Sequence, residues 1–229
     1  MKIFAIGDLH LPGLQDKPMN IFDPAWENHA RRMEDAWREI VSAKDVVLLP
    51  GDFSWAMRLS EARDDMRFLA ALPGTKVMVR GNHDYWWNSL SKVRAALPPS
   101  IRVVQNDHIA MENIAIGGTR GWVCPQSAAF TQEDEKIYLR EVNRLSLSLS
   151  CMPETKVKLI MLHYPPFNER RAPSGFTELL EAHGVRILLY GHLHGKSCKN
   201  GFEGLRNGVE YHLVSADHIG FKPKFVLEV

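Results

Sequence analysis

Residues 77–84 read VMVRGNHD, an apolar run followed by Arg-Gly and three polar residues. A continuous apolar run without polar alternation is typical of a strand that is buried on both faces of a sheet. Because Gly81 has no Cβ, it permits a sharp turn directly after the strand, where Asn82, His83 and Asp84 follow. The stretch therefore predicts a buried strand that presents polar side chains at its carboxyl end.

The same arrangement recurs along the chain. Further apolar runs of this kind are Ile3–Ile6, Val46–Leu49, Leu159–Leu162 and Ile187–Tyr190. The polar residues that follow them are, in chain order, Asp8 and His10, then Asp52, then His163, then His192 and His194. Ligands of open α/β sheets bind beyond the carboxyl ends of the strands. We therefore expect all of these side chains to converge at one edge, although they are far apart in the sequence.

Helical patterns with recognisable ends separate these strands. We predict a helix from Pro24 to Ile40 capped by Asp23, a helix capped by Ser60 that ends at Pro73-Gly74, a helix that begins with a capping box of Thr131 and Asp134, and a short helix over Thr177–His183. Strands and helices thus alternate, which is typical of parallel sheets covered by helices.

Two regions break this alternation. Residues 101–118 read as short strands separated by polar pairs, and residues 205–229 contain Asn207-Gly208, a hairpin signal, before the alternating VEYHLVS. Both patterns predict antiparallel strands. Because no long linker, internal repeat or charge block interrupts the 229 residues, we expect a single mixed α/β domain over residues 1–229.

Composition excludes several classes of protein. Hydrophobic residues make up 45% and charged residues 24% of the chain, which excludes disordered and disulfide-scaffold proteins. The net charge of +1, without a basic patch, argues against nucleic acid or a membrane as partner. The three cysteines form no C-x-x-C pattern, and no apolar run is long enough for a signal peptide or a membrane span. We therefore expect a cytoplasmic protein, and no feature indicates its oligomeric state.

The polar residues at the predicted edge are of types that bind metal ions. Carboxylate oxygen, imidazole nitrogen and amide oxygen suit Mn²⁺, Fe or Zn²⁺ better than Ca²⁺. The seven candidates are Asp8, His10, Asp52, Asn82, His163, His192 and His194. They exceed what one ion needs, whereas two divalent metal ions ~3.5–4 Å apart, bridged by a carboxylate, would use them all. Random order at this composition would produce G-N-H-D on the order of 0.002 times, so this motif is specific.

The motifs D-x-H, G-D, G-N-H-D, H and G-H-x-H occur in this order over residues 8–194 and resemble those of the calcineurin-like metallophosphoesterases. The resemblance implies a four-layer αββα sandwich, in which helices flank two mixed β-sheets and a dinuclear metal site lies at the C-terminal ends of the strands. It implies that Asp8, His10 and His194 hold one ion, that Asn82, His163 and His192 hold the second, and that Asp52 bridges the two.

The resemblance also implies an activity. A hydroxide that bridges the two ions would attack phosphorus, while His83 would stabilise the transition state or protonate the leaving oxygen. We therefore expect a dinuclear metal-dependent phosphoesterase that acts on a small phosphate mono- or diester. The alternatives are a nuclease or cyclic-nucleotide phosphodiesterase, and a scaffold that binds metal without turnover.

One departure from the family concerns the residues after Gly51-Asp52. This chain has Phe-Ser-Trp-Ala there, whereas the family's protein Ser/Thr phosphatases carry a second Asp and an Arg. The difference argues against protein phosphatase activity. It also leaves open which residue orients His83, with Asp84 as a candidate.

Several further residues have two interpretations. For the aromatic cluster we favour core packing over a wall for a flat leaving group; its members are Phe53, Trp55, Tyr85, Trp86 and Trp87. The candidate phosphate contacts, which are otherwise surface residues, are Arg80, Arg120 and Lys196. Among the remaining histidines, we expect His218 to approach the rim of the site and the others to be ordinary surface or core residues; these are His29, His108, His183 and His212.

Overall fold

The computed structural model describes residues 1–15, 17–154 and 156–229. Its strands, in chain order, are β1 (Lys2–Ala5), β2 (Val46–Pro50), β3 (Thr75–Val79), β4 (Ile101–Val103), β5 (His108–Met111), β6 (Ile114–Thr119), β7 (Val157–Leu162), β8 (Ile187–Tyr190), β9 (Gly204–Arg206), β10 (Val209–Leu213) and β11 (Lys224–Glu228). Its α-helices are α1 (His29–Ile40), α2 (Arg63–Ala71), α3 (Leu90–Ala96), α4 (Gln132–Ser150) and α5 (Gly175–Ala182).

The strands form two mixed sheets. The five-stranded sheet has the order β11-β1-β2-β3-β4, in which only β11 is antiparallel to its neighbour. The six-stranded sheet has the order β5-β6-β7-β8-β10-β9, in which β5 and β9 are antiparallel edge strands. All five strands predicted from the apolar runs are present as β1, β2, β3, β7 and β8.

Alternating residues of each central strand fill different layers of the core. In β1, Ile3 and Ala5 pack between the two sheets, whereas Phe4 packs against the helices on the outer face. This alternation follows from the strand geometry, in which successive side chains point to opposite faces. Helices α1, α2 and α3 cover the first sheet, and α4 and α5 cover the second. The predicted four-layer αββα sandwich is therefore confirmed.

The predicted helix from Pro24 to Ile40 is wrong at its start. Pro24–Trp26 forms a separate 3₁₀ turn, in which the Asp23 carboxylate accepts the N–H of Ala25 at 2.8 Å. Asn28 then adopts a left-handed conformation with φ 52°, a geometry that Asn tolerates, and α1 begins only at the next residue. The interruption turns Trp26 toward the site described below.

Other local predictions were partly wrong. Helix α2 begins after Ala62 rather than Ser60, because a turn in which Glu61 accepts the backbone N–H of Met57 precedes it. The Thr131 capping box is confirmed, and α5 starts earlier than predicted, behind a second capping box at Ser174. The antiparallel strands predicted in residues 101–118 and 205–229 are confirmed for β5 with β6 and for β9 with β10, on either side of Asn207-Gly208. The prediction missed that β4, β6 and β10 also pair in parallel with β3, β7 and β8. For β4 and β7 the chain returns through a helix, α3 and α4, which brings the next strand back to the same end of the sheet.

None of the helices within the described ranges has the length and apolar character that crossing a bilayer requires.

Candidate metal centre

The side chains predicted to converge do lie together, beyond the carboxyl ends of β1, β2, β3, β7 and β8. In the first group, Nε2 of His10 lies 3.4 Å from Nε2 of His194, which lies 3.6 Å from Oδ1 of Asp8. The ligand atoms of these three residues all fall within 4.8 Å of one another. They are the residues that the resemblance assigns to one ion.

The second group lies on the other side of the same edge. Oδ1 of Asn82 lies 2.6 Å from Nε2 of His163 and 2.9 Å from Nδ1 of His192. The two ring nitrogens are 3.2 Å apart. These are the residues that the resemblance assigns to the second ion.

The Asp52 carboxylate lies between the two groups. Its Oδ2 atom is 3.8 Å from Nε2 of His10 and 3.5 Å from Nε2 of His163. Its Oδ1 atom accepts the backbone N–H of His83 at 2.8 Å. One oxygen of a single carboxylate thus faces both groups of ring nitrogens, which is the position expected of a bridge.

The proton positions on two histidines fit a metal site. Nδ1 of His163 lies 3.0 Å from the Pro50 carbonyl oxygen, which can only accept, so Nδ1 carries the proton and Nε2 faces the site as a lone pair. The Asn82 oxygen, 2.6 Å from that nitrogen, is a second acceptor, and a cation bound by both atoms would offset the repulsion between them. Nδ1 of His194 is held by a carboxylate of Asp217 at 2.9 Å, which leaves Nε2 inward. Such outer partners are usual for metal-binding histidines.

The backbone at the site is strained. Asp8, His10, Asp52 and His192 have φ values of 56°, 45°, 52° and 73°, in the left-handed region that such residues seldom adopt. Strain of this kind persists only where the surrounding structure over-determines it, and it clusters at functional sites.

Two glycines allow the carboxylates to pack against the turns. A Cβ on Gly81 would lie 2.1 Å from Oδ1 of Asp52, and a Cβ on Gly191 would lie 2.2 Å from Oδ2 of Asp8. Any side chain at either position would displace a candidate ligand.

Asp84 stabilises the turns rather than orienting His83. Its buried carboxylate accepts backbone N–H groups of Asp52, Phe53 and Gly81 at 3.0, 2.9 and 2.7 Å, and the indole N–H of Trp86 at 3.0 Å. None of its hydrogen bonds within the described residues involves the His83 ring.

The site accumulates negative charge that a cation would offset. Burial, followed by the negative charges of Asp84 and Asp8, raises the pKa of Asp52 well above its usual range. Burial also raises the pKa of Asp8, but the hydrogen bond and charge of His194 outweigh it, so the pKa is low. Burial lowers the pKa of His194, but the carboxylates of Asp217 and Asp8 outweigh it and raise the pKa to about 10. The two carboxylates thus favour a positive charge at this position.

The sequence matches the calcineurin-like phosphoesterase family over residues 1–196. The chain belongs to this family. No curated protein matches the chain significantly.

Several solved structures share the fold of this calcineurin-like phosphoesterase. AQ665 from Aquifex aeolicus, a protein of unknown function, is 15% identical with a TM-score of 0.53, over 98% of this chain and 95% of that one. The phosphopantetheinyl hydrolase PptH from Mycobacterium tuberculosis is 13% identical with a TM-score of 0.61, over 100% and 96%. TT1561 from Thermus thermophilus is 12% identical with a TM-score of 0.51, over 84% and 81%. At these identities the likeness concerns the fold.

His83 of this phosphoesterase faces a cavity beside the two groups of ligands. Its ring centroid lies 4.5 Å from the Trp55 ring, and the Tyr85 hydroxyl lies 3.5 Å from its Nδ1. Burial and the neighbouring His163 lower the pKa of His83 to about 4. The imidazole is therefore neutral at pH 7 in the substrate-free site.

The aromatic cluster divides into two parts. Phe53, Trp86 and Trp87 are buried in the core of the phosphoesterase, as predicted. Trp55 is also largely buried, but it stacks on the His10 ring with centroids 4.8 Å apart and lines the cavity. Tyr85 is 41% exposed. Phe53, Trp86 and Trp87 thus pack in the core, whereas Trp55 forms part of the cavity wall.

The three candidate phosphate contacts also differ. Lys196 lines the cavity, where an anion can reach it. Arg120 lies 3.6 Å from a Glu141 oxygen and 4.4 Å from the centroid of the Trp122 ring. Its guanidinium is thus already paired with a carboxylate and an aromatic ring. Nε of Arg80 is buried and has no hydrogen-bond partner among the described residues, and its role stays a prediction.

Asp217 is a residue that the sequence analysis missed. Its carboxylate holds Nδ1 of His194 and accepts the backbone N–H of Gly195 at 2.8 Å. Its neighbour His218, expected at the rim, instead pairs with Glu203 at 3.0 Å. Asp217 follows β10, which is parallel to β8, so an acidic residue shortly after the VEYHLVS run was the available signal.

Asp217→Asn is expected to weaken metal binding about 10- to 100-fold, because an outer carboxylate raises the basicity of a ligand histidine and fixes its orientation. Titration of the metal-free protein with Mn²⁺ or Zn²⁺ in a calorimeter measures this. Glu203→Gln, which removes a carboxylate that contacts His218 and Lys224, is the control and should leave the affinity unchanged. Equal affinities for the wild type and Asp217→Asn would contradict the assignment.

Proposed function

We propose that this chain hydrolyses small phosphate mono- or diesters with the help of two divalent metal ions. The observation that supports this most directly is the position of Asp52, whose Oδ2 atom faces ring nitrogens of both ligand groups at 3.8 and 3.5 Å. A single-ion site has no need for a carboxylate in this place. Membership in a family of phosphoesterases supports the same reaction class.

The residues present fit the ions in number and type. Asp8, His10 and His194 would hold one, Asn82, His163 and His192 the other, and Asp52 both. When bound, the ions supply Lewis acidity, which activates water and offsets the charge of the phosphate oxygens. Mixed oxygen and nitrogen ligands suit Mn²⁺, Fe or Zn²⁺.

His83 is placed to help the leaving alcohol depart. Its ring faces the cavity while its backbone is anchored on Asp52, so its position is linked to that of the ligands. Burial favours the neutral imidazole, but the negative charge of a nearby phosphate raises the pKa of a histidine. The protonated ring can then donate a proton to the leaving oxygen. Lys196 on the cavity wall would contact a phosphate oxygen.

The test starts from protein stripped of metal by a chelator and reloaded with Mn²⁺, Fe²⁺ or Zn²⁺. We expect two equivalents to bind per chain and hydrolysis of nitrophenyl phosphate or bis(nitrophenyl) phosphate to return with them. The ratio of the two rates distinguishes a monoesterase from a diesterase, and a cyclic nucleotide as a third substrate tests the phosphodiesterase alternative. A protein that binds both ions and cleaves none of these esters would be a metal-binding scaffold.

A further inference from the structure

A cavity of ≈ 580 Å³ opens onto the candidate metal centre. One of its walls consists of centre residues, among them His10, Asp52 and His83. The facing wall is built by residues between β1 and α1, and is apolar at Met19, Phe22 and Trp26 with the Asp23 carboxylate among them. Pockets of about 300–1,000 Å³ bind ligands of the size of a drug molecule, so a phosphate group alone would leave most of this space empty.

The apolar wall is held firmly against the centre. Trp26 packs edge-on against the rings of His10 and His194, with centroids 5.7 and 5.6 Å apart. The indole N–H of Trp55 donates to Sδ of Met19 at 3.3 Å, so these two residues of the cavity lining are in direct contact. These contacts fix the wall directly beside the candidate ligands His10 and His194.

Phe22 lies at the mouth of this cavity. Its ring lines the cavity but is 68% exposed, so much of its apolar surface is left to solvent. Ile21, its neighbour, is similarly exposed at 69% but is not part of the lining. An apolar group next to the phosphate would cover the Phe22 ring and gain from its burial.

The charges around the cavity are mixed. Lys196 and the Asp23 carboxylate both line it. A carboxylate in the wall disfavours a leaving group with further negative charges, such as a diphosphate. An uncharged group attached through a single phosphate meets no such repulsion.

We infer that this cavity binds the alcohol part of the substrate, that this part is bulky, uncharged and apolar, and that Phe22 determines the preference for it. The inference rests on the proposed function for the reaction at the metal centre. It adds the class of leaving group, which the candidate ligands do not specify.

Two esters of alcohols with similar basicity test this preference, namely 2-phenylethyl phosphate and ethyl phosphate. For the metal-loaded protein we expect kcat/KM to be at least roughly 10-fold higher for the phenylethyl ester. Phe22→Ala should reduce the ratio of the two kcat/KM values by roughly 5- to 10-fold. Ile21→Ala, which truncates a similarly exposed apolar side chain that does not line the cavity, should leave both values unchanged.

A binding measurement provides a readout that does not depend on turnover. The phosphonates 3-phenylpropylphosphonate and propylphosphonate resemble the two esters but have no cleavable P–O bond to the alcohol. Calorimetry should show tighter binding of the phenyl compound to the wild type and to Ile21→Ala, and loss of most of that difference in Phe22→Ala.

The outcomes separate the two proposals. If both esters are cleaved equally well and both phosphonates bind equally, the cavity inference is wrong and the phosphoesterase proposal stands. If no ester is cleaved but the phenyl phosphonate binds more tightly through Phe22, the hydrolytic function is wrong and the ligand class stands. A Phe22→Ala protein with unchanged ratios in both experiments would also overturn the role of Phe22.

Discussion

Asp52→Asn is expected to lose the second metal ion and on the order of 10³-fold or more in rate, because the ions lose the anion between them and with it several kcal/mol of transition-state stabilisation. The amide oxygen can still accept the N–H of His83, so the turn keeps its hydrogen bond. The amide nitrogen would face the ring nitrogens of His10 and His163, where it cannot bridge cations. Elemental analysis after loading and steady-state rates measure both effects.

The same variant should separate a metal role from a structural one. Burial beside the carboxylates of Asp84 and Asp8 raises the pKa of Asp52, so its charge destabilises the metal-free fold. Metal-free Asp52→Asn should therefore unfold at the same temperature as the metal-free wild type or at a higher one. Added metal should raise the Tm of the wild type by more than it raises the Tm of Asp52→Asn.

Asp84→Asn is the matched control for Asp52→Asn. Its carboxylate accepts four backbone N–H groups and the Trp86 indole, so the amide should lower the Tm with and without metal. If Asp52→Asn retained two ions at wild-type affinity, Asp52 would not be the bridge.

His83→Ala is expected to keep both ions and to lose about 10²- to 10⁴-fold in kcat on alkyl phosphates, because the leaving alkoxide loses its proton donor. The ring contacts Trp55 and faces the cavity, and no candidate ligand depends on a hydrogen bond from its side chain among the described residues. The loss should be smaller on nitrophenyl phosphate, because nitrophenolate departs with little need of a proton.

The control for this variant is His108→Ala, which removes a histidine on β5 that contacts Cys151. It should leave metal content and both rates unchanged. Loss of metal from His83→Ala would reassign His83 as a ligand. An equal loss on alkyl and nitrophenyl esters would make it an electrostatic support instead of a proton donor.

Much of the site could be predicted from the sequence because its residues obey a local rule. Buried strands are apolar throughout, and the turn after each strand exposes its polar residues at the same edge of the sheet. Patterns around Ile3–Ile6 or Val46–Leu49 therefore indicate both the strand and the candidate metal ligands that follow it. Capping boxes such as the one at Thr131 are equally local, and that prediction is confirmed.

The tertiary structure alone decided which polar residues support the candidate ligands. Asp84 accepts hydrogen bonds from a turn some 30 residues away, and Asp217 contacts His194 from a different strand end. Neither partner is near in sequence, so no periodicity relates them. The parallel pairing of β4, β6 and β10 with β3, β7 and β8 was missed for a similar reason, since pairing depends on how the chain returns to the sheet.

The apolar wall of the cavity is the clearest case of tertiary control. The spacing of Trp26 suits a long amphipathic helix, but the left-handed Asn28 delays the start of α1 to His29 and leaves Trp26 against His10 and His194. The sequence by itself thus determined the sandwich and the residues gathered at its edge, because apolar runs and strand-end turns are local signals. Only the tertiary structure decided what surrounds that edge, because the side chains there come from segments whose positions depend on packing with the rest of the chain.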